Sequence, residues 1–113
     1  MHSYANREKL AQLFAKEVAL FEAKHPKSAE LHKKAMGPLM GGVPMSWMSK
    51  WPGPHPVYVA SANGSRFIDV DGIEYVDFCL GDTGAMVGHS PDAAIKAIAS
   101  QLSKGITLSL IHI

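Results

Sequence analysis

The sequence predicts an α+β fold in which helices lead into a three-stranded antiparallel meander and an amphipathic helix follows it. Three observations carry this expectation. Apolar residues recur at helical spacing between Asn6 and Lys24, at Leu10, Leu13, Phe14, Val18 and Phe21. Three short β-branched, aromatic or apolar runs, Val57 to Ala60, Arg66 to Val70 and Tyr75 to Cys79, are separated by Asn63-Gly64 and Asp71-Gly72. Those dipeptides supply the positive φ that a tight turn between right-twisted strands needs. A second helical stripe, Ile95, Ile98, Ala99 and Leu102, follows a loop rich in glycine.

The first helix takes Ser3 or Asn6 as its cap and stops at His25-Pro26, because proline disfavours helical geometry in the residue before it. Its apolar stripe packs either on the body of the same chain or across a subunit interface; the residues alone fit both. A second helix is expected from Ala29 to Met36, with Ser28 as N-cap and Glu30 near the positive end of the helix. From Gly37 to Pro54, glycine and proline break regular structure, yet Leu39, Met40, Met45, Trp47, Met48 and Trp51 are too apolar for an idle linker, so this loop is expected to be buried.

Within the meander, Phe67 and Asp69 alternate with Ile68 and Val70, and Tyr75 and Asp77 with Val76 and Phe78, which implies one buried face. The single cysteine, Cys79, falls in the third strand and reads as a small core hydrophobe rather than a nucleophile, with no His or acidic partner at a recognisable spacing. The loop Leu80 to Pro91 holds Gly81, Gly84 and Gly88, and glycine at that density marks sharp turns or close approach of backbone or ligand, which makes this stretch the expected functional surface. Asp82 reads first as a solvated or turn-capping carboxylate, and His89 as the residue that orders the loop and the start of the next helix. Ser90 as N-cap, Pro91 at the first helical position and Asp92 in the first turn open that helix, and Gly105 closes it.

The chain has 113 residues, a net charge of +1, 47% hydrophobic and 19% charged residues, which suits one globular domain at most. There is no basic stripe interleaved with aromatics, so nucleic acid and anionic membranes are not expected partners. No apolar run approaches the ~20 residues of a membrane span, the first residues lack the apolar core of a signal peptide, and the cytoplasm is the expected location. The six histidines include no pair at i, i+4, and no metal site is expected.

The order of these features, a GGVP loop at Gly41 to Pro44, turns of the form ANG and VDG, the phrase EYVDFCLGDTGAMVGHSP and the helix DAAIKAIASQL, resembles the N-terminal part of class III aminotransferases from about Ser28 to Thr107. These are pyridoxal-phosphate enzymes of fold type I, and the resemblance is nearest to the glutamate-1-semialdehyde aminomutase and β-amino-acid transaminase branch. It implies an enzyme that moves an amino group between a small-molecule amino donor and a keto acceptor, with pyridoxal 5'-phosphate as cofactor and a homodimer as the complete assembly. It also implies that the loop of Ser46 and Trp47 walls the substrate pocket, with Thr83, Gly84 and Ala85 as the opposing candidates.

Two departures stand out. Aminomutase-like members carry a carboxylate-binding arginine in the first loop, whereas here no arginine occurs between Arg7 and Arg66, which weighs against aminomutase activity. Where those members have an aromatic residue in the glycine loop, this chain has Asp82-Thr83-Gly84-Ala85, a smaller and more polar set.

The organisation expected is a helical arm and apolar loop over 1–55, the meander, glycine loop and helix over 56–107, and a truncated or miscalled end over 108–113. The chemistry of pyridoxal phosphate needs a Schiff-base lysine, an acidic partner for the pyridine nitrogen and donors for the phosphate. None is identifiable in the sequence, so no catalytic or cofactor-binding residue is assigned and the stretch is expected to be inactive by itself. The alternative is a non-catalytic α+β binding or dimerisation module.

Overall fold

A computed structural model of the chain describes residues 6–50, 52–81 and 84–105. The expectations for Ser3, Trp51, Asp82, Thr83 and the stretch from Ile106 onward lie outside the described residues. Helix α1 (Arg7–Lys24) is followed by α2 (Pro26–Ala35), strands β1 (Val59–Asn63), β2 (Arg66–Asp69) and β3 (Glu74–Val76), and α3 (Asp92–Leu102). The strands form one sheet in the order β1-β2-β3, the predicted meander.

Asn6 caps α1, its side chain accepting the Lys9 N–H at 3.0 Å. His25 ends the helix, its ring Nδ1 donating to the Phe21 carbonyl at 2.7 Å. Pro26 then begins α2 directly, a position where a missing N–H costs nothing. The expected start at Ala29 with Ser28 as cap is therefore corrected. Ser28 lies inside the first turn, fully buried, and the free N–H groups of that turn are satisfied from elsewhere in the chain. The Asp71 carboxylate accepts from Lys27 N at 2.7 Å, Ser28 N at 3.0 Å and Ser28 Oγ at 2.8 Å.

In the meander β1 lies later than the run Val57 to Ala60 suggested, and β3 is shorter than Tyr75 to Cys79. The end of β3 has a clear cause. Asp77 Oδ1 accepts the N–H of Cys79 at 2.9 Å and of Leu80 at 2.8 Å, a side-chain turn that bends the backbone out of the ladder. Cys79 is thus exposed and outside the strand, not in a core. In the two turns glycine alone takes the positive φ, 55° at Gly64 and 88° at Gly72. The more buried face carries Phe67 and Tyr75, stacked with centroids 4.7 Å apart, and Asp69, which is 1% exposed. Ile68 and Val76 project from the opposite, exposed face.

Among the described residues the chain divides into two compact units, one of residues up to Ala60 with Ile68–Ile73, the other of Ser61–Phe67 with residues from Glu74 on. In the first unit, the loop after α2 makes single 3-10 turns at Met40–Gly42 and Ser46–Ser49. Its expected burial is corrected. Val43 is buried, but Met40 is 90% and Trp47 62% exposed, because within this unit only one side of the loop meets other residues.

In the second unit, α3 has Pro91 rather than Ser90 as its N-cap. Ser90 takes a φ of 54° and donates its hydroxyl to the Ala62 carbonyl at 2.8 Å, so it is not free to cap. Asp92 occupies the first turn as expected, and Gly105, at φ 93°, follows the end of the helix. Ile95, Ile98 and Leu102 form an exposed stripe.

Candidate functional site

In the first unit a cleft of about 510 Å³ opens between the loop after α2 and the segment leading into β1. Leu39, Val43, Trp47 and Met48 wall one side, Val57 and Tyr58 the other, and Lys50 is its single charged residue. The Tyr58 hydroxyl donates to the Gly42 carbonyl at 3.3 Å and ties the two sides together. Gly42 is needed there. Its φ is 71°, and a Cβ would stand 2.8 Å from the His32 ring. Trp47 thus lines an apolar cleft, while Ser46 is exposed and its carbonyl accepts the Ser49 hydroxyl at 2.6 Å.

The first unit also holds a polar cluster that the sequence reading did not find. Asp69 Oδ1 accepts from Asp71 N at 2.9 Å and Ile73 N at 2.8 Å, and Asp69 Oδ2 sits 3.5 Å from His25 Nε2. Burial pushes the Asp71 carboxyl upward. The N–H groups of Lys27 and Ser28, the Ser28 hydroxyl and the nearby His25 outweigh that push and hold it below its ordinary value. The pattern Asp69-x-Asp71-Gly72 carried the available signal, since aspartates before such a turn commonly accept from backbone two residues on. Histidines scattered in sequence also meet here. Phe21 stacks on His25 with centroids 4.1 Å apart and lies 5.0 Å from His55, which is 6.4 Å from His32. Among the described residues no group of three or more His, Cys, Asp or Glu side chains could hold a metal ion.

In the second unit the glycine loop is closed at its ends. His89 Nε2 donates to Asp77 Oδ2 at 2.5 Å. The backbone of His89 pairs with Gly64, N to O at 2.8 Å and O to N at 3.0 Å. Hydrogen bonding from the His89 ring, then from the Leu80 N–H, holds the Asp77 carboxyl below its ordinary value, against a smaller opposing effect of desolvation. His89 was expected to order this loop, and these contacts are how it does so; its partner Asp77 was not foreseen. Within the loop, Ala85 N donates to the Leu80 carbonyl at 2.9 Å and Gly84 N to the Gly81 carbonyl at 3.2 Å. Ala85 is buried and Gly84 exposed.

Of the sequence-predicted site residues, Ser46 and Trp47 therefore belong to the first unit, Gly84 and Ala85 to the second, and Thr83 lies outside the described residues. The residues present do not fit a covalently held pyridoxal group. All nine lysines, Lys9, Lys16, Lys24, Lys27, Lys33, Lys34, Lys50, Lys96 and Lys104, are exposed, and none is enclosed where desolvation would make its amine a ready nucleophile.

Comparison with known proteins gives a consistent picture. No family model matches the chain. It is 42% identical over 81 residues to the glutamate-1-semialdehyde 2,1-aminomutase of Methanosarcina acetivorans, and 44% identical over 81 residues to that of Methanococcoides burtonii. Each alignment covers 70% of this chain and 18% of the relative. The crystal structure of a glutamate-1-semialdehyde aminomutase from Pseudomonas aeruginosa superposes with a TM-score of 0.82 at 41% identity, over 95% of this chain and 24% of that one. A β-phenylalanine aminotransferase from Variovorax paradoxus superposes with a TM-score of 0.75 at 24% identity, over 91% of this chain and 24% of that one, a likeness of fold alone. The chain spans about a fifth to a quarter of the length of these proteins.

Proposed function

We infer that this chain, which matches in sequence and in fold the N-terminal part of the class III, pyridoxal-phosphate-dependent aminotransferases, forms the substrate-entry side of such an enzyme. The complete enzyme moves an amino group between an amino acid or amine and a keto acid, is a homodimer and works in the cytoplasm. The observation that carries this reading is the superposition on the Pseudomonas aeruginosa aminomutase, where fold and 41% sequence identity agree over 95% of the chain.

In this reading Ser46 and Trp47 line the substrate pocket of the complete enzyme, and Thr83, Gly84 and Ala85 are further residues that meet the substrate. The apolar lining of the Trp47 cleft supports an uncharged side chain on the amino donor. The absence of any arginine between Arg7 and Arg66 supports transamination over the aminomutase reaction. The exposed stripe Leu10, Leu13 and Phe14 of α1 supports an arm that packs in the dimer. When bound, pyridoxal phosphate supplies the electron sink for the amino group. The residues of this chain shape the entry; the lysine and the phosphate donors come from sequence beyond them.

The test is to read the coding sequence downstream of codon 108. An in-frame continuation with a glycine-and-hydroxyl phosphate loop and a lysine among small residues is the expected result. A genuine stop with neither would overturn the reading in favour of a non-catalytic binding or dimerisation module.

A further inference from the structure

We propose that His89 is a positioning residue which, through Asp77, clasps the glycine loop and sets where Gly84 and Ala85 meet the substrate. The proposal rests on the reading of that loop as a pocket wall.

The loop leaves the sheet at Asp77 and returns to it at His89, and one carboxylate holds both ends. Oδ1 of Asp77 accepts the N–H of Cys79 and Leu80, which fixes the departure of the chain. Oδ2 takes the ring Nε2 of His89, which fixes its return. The Leu80 carbonyl accepts the Ala85 N–H at 2.9 Å, and the Ala85 carbonyl accepts the Gly88 N–H at 2.8 Å. A continuous hydrogen-bonded path therefore runs from the carboxylate through Leu80 and Ala85 back to the residue before His89.

The return is held tightly as well. His89 and Gly64 exchange both backbone hydrogen bonds. Gly88 has a φ of 92° and approaches Gly64 so closely that a Cβ would lie 3.2 Å from the Gly64 Cα. The bonds that place Ala85 lie between these two ends, and the Asp77 to His89 contact is a side-chain link across them. Exposed Gly84 is carried on the same turn. The role is positional, because the ring nitrogen facing Asp77 is engaged in holding the carboxylate.

Two substitutions separate the hydrogen bond from bulk. Glutamine places an amide N–H near the position of Nε2 and can still donate to Asp77; leucine cannot. In the chain itself, His89→Leu is expected to speed amide exchange at Leu80 and Ala85 by about tenfold while α1 is unchanged, and His89→Gln to stay within about threefold of the parent. Unchanged protection in His89→Leu would overturn the proposal, as would equal loss in both variants. Should His89→Leu unfold the chain, His89→Gln decides by the same criterion.

A kinetic arm joins the chain in frame to the remainder of a class III aminotransferase. There His89→Leu is expected to raise KM for the amino donor by about tenfold, with kcat within about twofold and the bound-cofactor spectrum retained. Loss of the cofactor together with kcat would mark a merely structural role and overturn the proposal. If the joined parent enzyme transfers no amino group, the reading of the pocket fails, whereas the exchange experiment still decides the clasp.

Discussion

The hydroxyl of Ser28 donates to Asp71 Oδ2 at 2.8 Å, and the same oxygen accepts the Ser28 N–H at 3.0 Å. A residue in the first turn of α2 is thereby bound twice to the turn between β2 and β3. Ser28 is fully buried, and its hydroxyl oxygen also receives the Tyr58 N–H at 3.4 Å. Ser28→Ala removes the donor to Asp71 and the acceptor for Tyr58 without room for water to replace them. The expected cost is about 1–3 kcal/mol, read as a lower urea midpoint at unchanged m-value. A midpoint equal to that of the parent chain would show that the contact adds nothing.

Two glycines with similar backbone angles separate strain from collision. Gly72 has a φ of 88° with nothing within 4 Å of a built Cβ; Gly88 has a φ of 92° with Gly64 backbone at 3.2 Å. Gly72→Ala is expected to cost about 1 kcal/mol from backbone strain alone. Gly88→Ala adds displacement of the Gly64 turn and should cost roughly 1–3 kcal/mol more. The order of the two denaturation midpoints is the test, and Gly88→Ala as the milder change would contradict the close approach.

Acid sensitivity follows from the two lowered carboxyls. Asp71 and Asp77 both titrate below the ordinary 3.8 in the folded chain. At and below that value the unfolded chain binds more protons, so stability rises with pH through this window. The contribution is fully present above 3.8 and is lost as pH falls through the lowered folded values. The contribution of these two carboxyls to thermal stability should therefore fall as pH drops below 3.8, and Asp77→Asn should reduce the acid slope. A slope unaffected by that substitution would remove Asp77 from the account.

The exposed lysines bear on the cofactor. Incubation of the chain with pyridoxal phosphate followed by borohydride should give diffuse, substoichiometric labelling, since all nine amines are solvated. Peptide mapping that found one stoichiometric pyridoxyl-lysine would overturn this. Lys50, the one amine lining the cleft, is the position to watch.

How much of this was legible in the sequence depends on the range of the interaction. Local signals were readable: Asn6 and His25-Pro26 bounded α1, and Gly64 and Gly72 marked the turns because only glycine takes their φ cheaply. The start of α2 was misplaced because Ser28 looks like a cap, whereas its carboxylate partner, Asp71, arrives from 43 residues away. The same limit hid the clasp. Asp77 ends β3 by accepting local N–H groups and meets His89 across twelve residues, and no periodicity encodes such a pairing. Burial of the Gly37 to Pro54 loop was misjudged for another reason. Composition reports what a segment would bury against a full partner surface, not which side of it this chain covers.

The last prediction concerns Gly84. Its φ is not left-handed, and among the described residues a Cβ there would meet only the Gly81 carbonyl, at an ordinary 3.6 Å. Backbone geometry therefore does not require glycine, in contrast to Gly81 and Gly88, whose φ values are 61° and 92°. A glycine at an exposed position without conformational need fits a place where something else approaches the backbone, which is the role proposed for this loop. In the chain joined to the remainder of a class III aminotransferase, Gly84→Trp is expected to abolish turnover of bulky amino donors while small donors are still processed. The fold and the bound-cofactor spectrum should persist, because the added ring projects from an exposed site. Gly84→Ala, which adds only the tolerated Cβ, should leave all donors within about threefold. Rates unchanged by tryptophan, or loss of cofactor together with the fold, would remove Gly84 from the pocket and leave the loop a packing element.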